Sequence, residues 1–325
     1  FKNMQYTFTG YNKKFNTNQD ITNITNNLLY TSDDKYSLFG LKRNWKVLLK
    51  NVNSKRNKTV DKAGDNYELY SGLFYDLNLP FVKNGEKFDK VIDPKISLRY
   101  SPNKNKNMSN DERRMDMENI FSLDRISSNE TVEGGESLTF GADYKFIEND
   151  TFNEVFKVGI AQVFRNQENK DLPKTSAIGE TRSDIFGNLA FSQNNIIDLN
   201  YEFSFDNNLN DSKYNNINLK VNVNKFVTSF EYLDDDISSD TKNFLSSSVK
   251  FNATDNHSLL FSRRENKKTG LTEYNNLIYE YKNDCLKAGI EYRKKYYSNN
   301  DLKPGEELMF TVTLGTFGTI YSPTF

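Results

Sequence analysis

The sequence predicts an all-β fold, a large transmembrane antiparallel β-barrel. Three features predict it: side chains that alternate between apolar and polar, connections that alternate between short and long, and many aromatics without one long apolar run. The alternation is clearest from Glu136 to Phe146, ESLTFGADYKF. Leu138, Phe140, Ala142, Tyr144 and Phe146 share one face of an extended strand. Ser137, Thr139, Gly141, Asp143 and Lys145 share the other. A strand reverses its side chains at every residue, so such a segment is oily on one side and wet on the other. A membrane barrel needs both: an apolar wall against lipid and a polar lumen.

Strands are expected at 136–147, 153–164, 182–192, 195–205, 214–223, 226–233, 243–253, 257–264, 273–282, 285–297 and 306–317. Several repeat the two-faced reading. Ile197, Leu199, Tyr201, Phe203 and Phe205 oppose Asp198, Asn200, Glu202 and Ser204. Leu219, Val221 and Val223 oppose Lys220 and Asn222, and Leu308, Phe310, Val312 and Leu314 oppose Thr311 and Thr313. The short connections are 193–195, 224–225, 254–256 and 283–284. The long ones are 165–181, 206–213, 234–242, 265–272 and 298–305. Outer-membrane barrels show this rhythm, with short periplasmic turns and long extracellular loops. A soluble sandwich mixes hairpins with crossovers and has no reason for it. A strand of about 11 residues spans roughly 36 Å, and a tilt near 40° brings that close to a hydrocarbon thickness.

The first third is less regular. Strands are expected at 2–11, 21–30, 36–50, 67–75 and 94–100, with polar tracts such as 51–66 and 101–115 between them. Pro80 and Pro94 are expected to mark loops or strand starts, because proline is poorly tolerated in central strands. The total is about 16 strands, and no domain boundary interrupts residues 1–325.

Mean hydropathy is −0.76, and only 36% of the 325 residues are hydrophobic. Those values alone suit a polar or disordered chain. Yet 25 Phe and 19 Tyr are far too many for a solvated tail. No run of about 18 apolar residues exists, which excludes a transmembrane helix but not a barrel. With 43 basic and 44 acidic residues well mixed, there is no basic stripe for nucleic acid. The chain opens at Phe1 rather than Met and is expected to be part of a longer protein.

Enzyme signals are weak, and no catalytic, cofactor or metal site is expected. The one histidine, His257, stands at a strand start without a motif-borne nucleophile, and reads as a rim residue. Asp234, Asp235 and Asp236 lack EF-hand spacing and read as a solvated loop. Glu133-Gly134-Gly135 lacks a phosphate-loop lysine and reads as a turn before a strand. The lone cysteine, Cys285, follows the short turn at Asn283-Asp284. The topology rule places it at the periplasmic rim, an oxidising setting. With no second cysteine here, a disulfide must reach another segment or another protein.

Two segments carry a family resemblance. Residues 109–141, SNDERRMDMENIFSLDRISSNETVEGGESLTFG, resemble the signature of the LPS-assembly family LptD. Asn110, Asp111 and Glu112 stand for its acidic cluster in altered order, and Asp116 for its isolated Asp. Asn119, Ile120 and Phe121 match its apolar triplet. Arg125 and Ser127 match its turn, with Ser128 where glycine is usual. Glu133, Gly134, Gly135 and Gly141 match its end, while Thr131 replaces a usual arginine. Residues 284–317 resemble the family's last hairpin, with Cys285 at the cysteine before the penultimate strand.

The resemblance implies the C-terminal barrel portion of a Gram-negative outer-membrane protein that inserts lipopolysaccharide into the outer leaflet. It implies a periplasmic N-terminal jellyroll absent from this sequence, through which a periplasmic LPS-bridge protein delivers cargo. It also implies an LptE-like lipoprotein plugging the barrel, a periplasmic C-terminus and a tether from Cys285 to the missing domain. The lipid chains would leave by a lateral gate, with Leu308, Phe310, Val312 and Leu314 on the last strand. A generic porin or nutrient transporter is the alternative, and a surface adhesin a third reading.

If the assigned faces are right, Leu199→Arg or Phe203→Arg lowers bilayer folding stability by about 2–4 kcal/mol at mid-depth. Asn200→Arg should be mild. Equilibrium unfolding in lipid checks this, and equal losses on both faces would contradict it.

Overall fold

The computed structural model describes residues 3–15, 20–57, 64–236, 242–296, 304–314 and 318–321. The fold is all-β, and the described residues hold nineteen strands in one antiparallel sheet. The strands are β1 (Met4–Lys14), β2 (Asp20–Thr31), β3 (Lys35–Tyr36), β4 (Lys42–Asn57), β5 (Gly64–Asn78), β6 (Phe81–Lys83), β7 (Phe88–Ser101), β8 (Gly135–Glu148), β9 (Glu154–Arg165) and β10 (Arg182–Gln193). They continue as β11 (Ile197–Phe205), β12 (Ser212–Val223), β13 (Phe226–Asp235), β14 (Lys242–Asn252), β15 (His257–Asn266), β16 (Leu271–Lys282), β17 (Leu286–Lys295), β18 (Gly305–Leu314) and β19 (Gly318–Tyr321). All sixteen expected strands are present. Among the described residues no helix is long and apolar enough to cross a membrane.

The chain divides into two compact units. The first holds Phe1–Asn153, Lys157–Asn188 and Ser204–Ser212; the second holds Glu154–Phe156, Leu189–Phe203 and Lys213–Phe325.

In the second unit, β12 to β18 pair each with the next, antiparallel. Register carries one side-chain row across the strands: Phe261 faces Leu277, Leu277 faces Tyr292, and Tyr292 faces Leu308. These four are 39–46% exposed. So are Phe230, Val249, Ile290, Phe310 and Val312, within a few points. In water such a continuous apolar face would be a severe liability; against hydrocarbon it is the required wall. The opposite face carries Lys220, Glu231, Arg264, Arg293 and Glu307, with ion pairs such as Lys287–Glu280 at 2.8 Å and Lys295–Glu307 at 2.6 Å. At the short-turn end the outer row closes on aromatics. His257 Nδ1 lies 2.7 Å from the Tyr279 hydroxyl, with the Tyr281 ring 5.0 Å away, and Phe226 packs on Phe251 at 4.9 Å. An aromatic girdle belongs at a membrane–water border, and His257 starts β15 among these aromatics, beside a short turn.

In the first unit, β1–β2–β4–β5–β7–β8 form a continuous antiparallel ladder, with β3 and β6 as short extensions. The outer row includes Trp45, Leu49, Leu73, Ile96, Leu98 and Phe140, all exposed. On the inner side Ser97, Arg99, Ser101, Ser137, Thr139 and Asp143 are buried. Polar groups inside and phenylalanine outside is the inverse of a soluble sheet.

Four expectations need correction. Pro94 lies inside β7, opposite Ala142. The Pro94 carbonyl accepts from Leu79 N–H, so its missing N–H points toward the same side, where β5 has ended and β6 has not begun. No ladder bond is lost there. The tract 51–66 was expected to be a polar connection, but 51–57 and 64–66 are strand, paired as far as Arg56 opposite Gly64. Apart from the buried Val52, polar side chains line both faces of this end, so the alternation vanishes while the backbone ladder persists. Asp234 and Asp235 belong to β13, and Asp234 accepts a hydrogen bond from Asn243 at 2.9 Å. Finally, β18 is followed by β19, which pairs with it over Thr311–Leu314. The strand bearing Leu308, Phe310, Val312 and Leu314 is therefore the penultimate one described. Of the expected long loops, residues 237–241 and 297–303 lie outside the described residues.

Candidate functional site

Between β7 and β8 the chain does not form a solvated loop. Residues 102–134 fold onto the inner face of the first unit and pack against part of it. Their apolar side chains make this possible: Met115, Ile120, Leu123, Ile126 and Val132 are all at most 5% exposed. They meet apolar residues on the inner side of the wall. Ile120 and Ile126 join Ala161, Val163 and Phe186 in one cluster. Leu123 and Val132 join Leu48, Val52, Tyr70 and Phe74 in another. Glycines open notches for this segment. A Cβ on Gly141 would lie 2.7 Å from the Phe121 ring, and one on Gly159 2.9 Å from Met117.

The ionic centre is Glu133. Its side chain is fully buried, and three guanidiniums converge on it. Arg125 grips both carboxylate oxygens in a fork and also donates to Ser137 Oγ at 2.7 Å. Arg99, from β7, donates to the Leu123 carbonyl at 2.6 Å and to the Glu133 carbonyl. Arg165, from β9, donates to the carboxylate and to the Gly134 carbonyl. The segment is thus tied to two strands by charge-assisted bonds in a water-poor setting, where they are strongest. Burial by itself would push the Glu133 carboxyl up; Arg125, Arg99 and Arg165 more than reverse this and hold it far below the usual range.

A second tie lies beside it. Lys50 on β4 is 3% exposed, and its three protons reach Asp124 at 2.8 Å, the Ser128 carbonyl at 2.6 Å and the Thr131 carbonyl at 3.1 Å. A lysine has three donors, and all are used. Burial pushes the Asp124 carboxyl up despite Lys50. In this cluster four cations, Lys50, Arg99, Arg125 and Arg165, face two carboxylates, Asp124 and Glu133.

The structure brings most motif residues together here. Asp116 accepts from Glu118 and Asn119 N–H at 2.9 and 2.8 Å, and Asn119 returns a bond to the Arg114 carbonyl. This local turn presents Ile120 and Phe121 to the wall. Arg125, Glu133 and Gly134 form the clamp. Gly135 adopts φ 89°, the left-handed step into β8, and Ser127 rather than Ser128 takes positive φ, at 44°. Asn110 stands apart, exposed at the rim of a polar chamber of about 1470 Å³ lined also by Tyr11, Arg56, Lys106 and Glu130. Cys285 lies far from the clamp in sequence. It is exposed, in the short turn before β17. Among the described residues no His/Cys/Asp/Glu group has metal-site geometry.

Sequence reading missed Arg99, Arg165 and Lys50. The available signal was apolar residues on the wrong face: Leu48 beside Leu49, and Val52, Phe74 and Val163 among polar neighbours. They mark where the inner wall is dry.

An apolar outer face, a polar inner face and aromatic borders define a transmembrane antiparallel β-barrel protein of the outer-membrane class. The model of the family described as LptD, LPS transport system D, matches residues 48–257. The chain belongs to that family, a component of lipopolysaccharide transport at the outer membrane. The match spans the whole inner segment and its clamp. A search of curated proteins gave no match. Among solved structures, a triple mutant of the Rh. blastica porin is similar at 9% identity and TM-score 0.35, over 90% of this chain and 95% of the porin. A structure described as "Asymmetric conductivity of engineered proteins" is similar at 8% identity and TM-score 0.33, over the same shares.

Glu133→Gln should leave three arginines without their counter-charge and cost about 3–5 kcal/mol. A lowered folded pKa adds stability above the unfolded value, near about 4.3, and loses it as pH falls below. Hydrogen-exchange protection of residues 115–133, taken relative to the intrinsic rate at each pH, should therefore be high and steady from neutral pH to about pH 5 and fall below about pH 4. The variant should show low protection throughout; high protection in the variant would contradict the clamp. Gly141→Val should displace Phe121 and cost about 1–3 kcal/mol, measured by unfolding in lipid. No loss would show that the notch is not filled.

Proposed function

We propose that this chain is the membrane-embedded portion of a translocon that inserts lipopolysaccharide into the outer leaflet through its lumen and a lateral gate. The family match across the clamped segment carries this reading. The geometry supports it over a diffusion pore: a porin keeps its inner face wet, whereas here residues 102–134 cover that face with two apolar clusters. The remaining inner face, rich in Lys, Arg, Glu, Ser and Asn, suits sugars and phosphates and not acyl chains. The acyl chains need a sideways exit. β18, with Leu308, Phe310, Val312 and Leu314 outward, and the short β19 beside it form one side of that exit. Above Thr311 the free edge of β18 has no strand partner among the described residues.

The partners follow from the reading. An LptE-like lipoprotein occupies the lumen, and a periplasmic LPS-bridge protein delivers cargo through an N-terminal domain. The short turns and the C-terminus are periplasmic, and Cys285 forms a disulfide with that domain.

Depleting the full-length protein should halt the arrival of new lipopolysaccharide at the cell surface, read by surface labelling, while general porin permeability stays unchanged. Unchanged lipopolysaccharide with altered permeability would favour a transporter instead. Mass spectrometry of the unreduced full-length protein should find Cys285 in a disulfide; a free thiol alone would defeat the tether.

A further inference from the structure

The apolar band on the outer wall is shorter along β15 and β16 than along β7 and β8. On β8 the outward face runs from Glu136 to Glu148, and the five side chains between them, from Leu138 to Phe146, are apolar or aromatic. β7 matches this stretch row for row from Leu98 to Ile92. On β15 the outward face has only Leu259 and Phe261 between His257 and Arg263. On β16 it has Leu277, Tyr279 and Tyr281 between Asn275 and the short turn at Asn283. Polar groups that stand 12 residues apart on β8 therefore stand 6 apart on β15 and 8 apart on β16. At about 3.4 Å per residue and a tilt near about 40°, the polar borders are about 31 Å apart on β8, about 16 Å on β15 and about 21 Å on β16. The lipid-facing band of a membrane barrel is typically about 25 Å tall.

The short band ends on an organised border. One row beyond Phe261, Leu277, Tyr292 and Leu308, toward the long loops, Arg263 faces Asn275, Asn275 faces Lys294, and Lys294 faces Glu306. These groups satisfy one another along the wall. Lys294 pairs with Glu306 at 2.9 Å, and Asn275 donates to the Tyr296 hydroxyl at 3.3 Å. Arg263 donates to Thr272 at 2.9 Å and pairs with Glu265 at 3.3 Å. Arg263 and Lys294 are long enough to lift their charges toward water. Asn275 and Glu306 are shorter and hold the border close to the backbone. At the opposite border the tyrosine hydroxyls are engaged as well, Tyr279 with His257 and Tyr281 with Asn283.

We propose that the wall along β15 and β16 thins the bilayer it meets, holding the two polar surfaces closer together than β7 and β8 do, by about 10 Å. A wall shorter than the hydrocarbon is met either by thinning of the bilayer or by drawing polar groups into the oil. Drawing in the row from Arg263 to Glu306 is the costlier course, because it strips water from two cations, an amide and a carboxylate together. Lipid chains shorten and tilt far more readily than those groups dehydrate. Through Lys294 and Glu306 the lowered border continues onto β17 and β18. A wall that meets hydrocarbon is all this requires, whatever the cargo and the gate.

The test uses the full-length protein in dioleoyl phosphatidylcholine bilayers. A spin label is placed singly at each outward position of β8 and β16 and at Asp284, on a ketone-bearing residue so that native cysteines stay intact. A water-soluble relaxant then maps where each strand enters and leaves the hydrocarbon. On β8 the shielded stretch should run from Leu138 to Phe146. On β16 it should be about half as long, centred on Leu277 and Tyr279, with Asn275 and Asp284 both reached. Shielding at either Asn275 or Asp284 would overturn the proposal, because the strand would then sit in a layer of full thickness. Equal shielded lengths on the two strands would overturn it as well. Arg263→Leu with Lys294→Leu replaces the two neighbours of position 275 across the register. Relaxant access at position 275 should then fall several-fold as the lipid follows the raised border, and unchanged access would show that the band does not set the layer. If that variant fails to assemble, the comparison of shielded lengths decides alone.

Discussion

One buried carboxylate organises the first unit. Glu133 is reached by guanidiniums from β7, from β9 and from its own segment. Removing three arginines and a glutamate from water is costly, and hydrogen bonds to carbonyls of Leu123, Glu133 and Gly134 offset much of that cost. What the cluster adds over an apolar plug is position. A fork onto a carboxylate has one good geometry, so residues 102–134 dock in one register, with Phe121 against Gly141 and Met117 against Gly159. The apolar clusters supply most of the driving force; the ions specify where it is spent.

The same segment explains why the wall is flawed next to it. To turn inward at Pro102, β7 must stop while β5 continues. The edge this exposes is only partly covered by Asn103.

The wall itself was legible in the sequence because lipid and water impose opposite demands at every second residue. Phe140 and Ser137 declare their faces without any knowledge of their neighbours. The tract 51–57 was not legible, since apart from the buried Val52 its residues are polar on both faces and leave no alternation to read. Pro94 misled because the rule against proline in strands assumes a partner on both edges at that residue. β19 was missed because a strand of four residues shows too little pattern; Gly315 and Gly318 were its only mark. The clamp was half legible. The motif pointed to Arg125 and Glu133, but Arg99, Arg165 and Lys50 come from strands distant in sequence, and nothing local shows that their charges converge.

The account depends on a wall that is oily outside and sealed inside by residues 102–134. Spin labels placed singly from Glu136 to Phe146 in the bilayer, and probed with oxygen and with a water-soluble relaxant, test this most directly. Leu138, Phe140 and Tyr144 should be reached by oxygen, while Ser137, Thr139 and Asp143 should be shielded from both reagents. Free access of the water-soluble relaxant to Ser137, Thr139 and Asp143 would contradict the sealed inner face, and shielding of Phe140 from oxygen would contradict the wall.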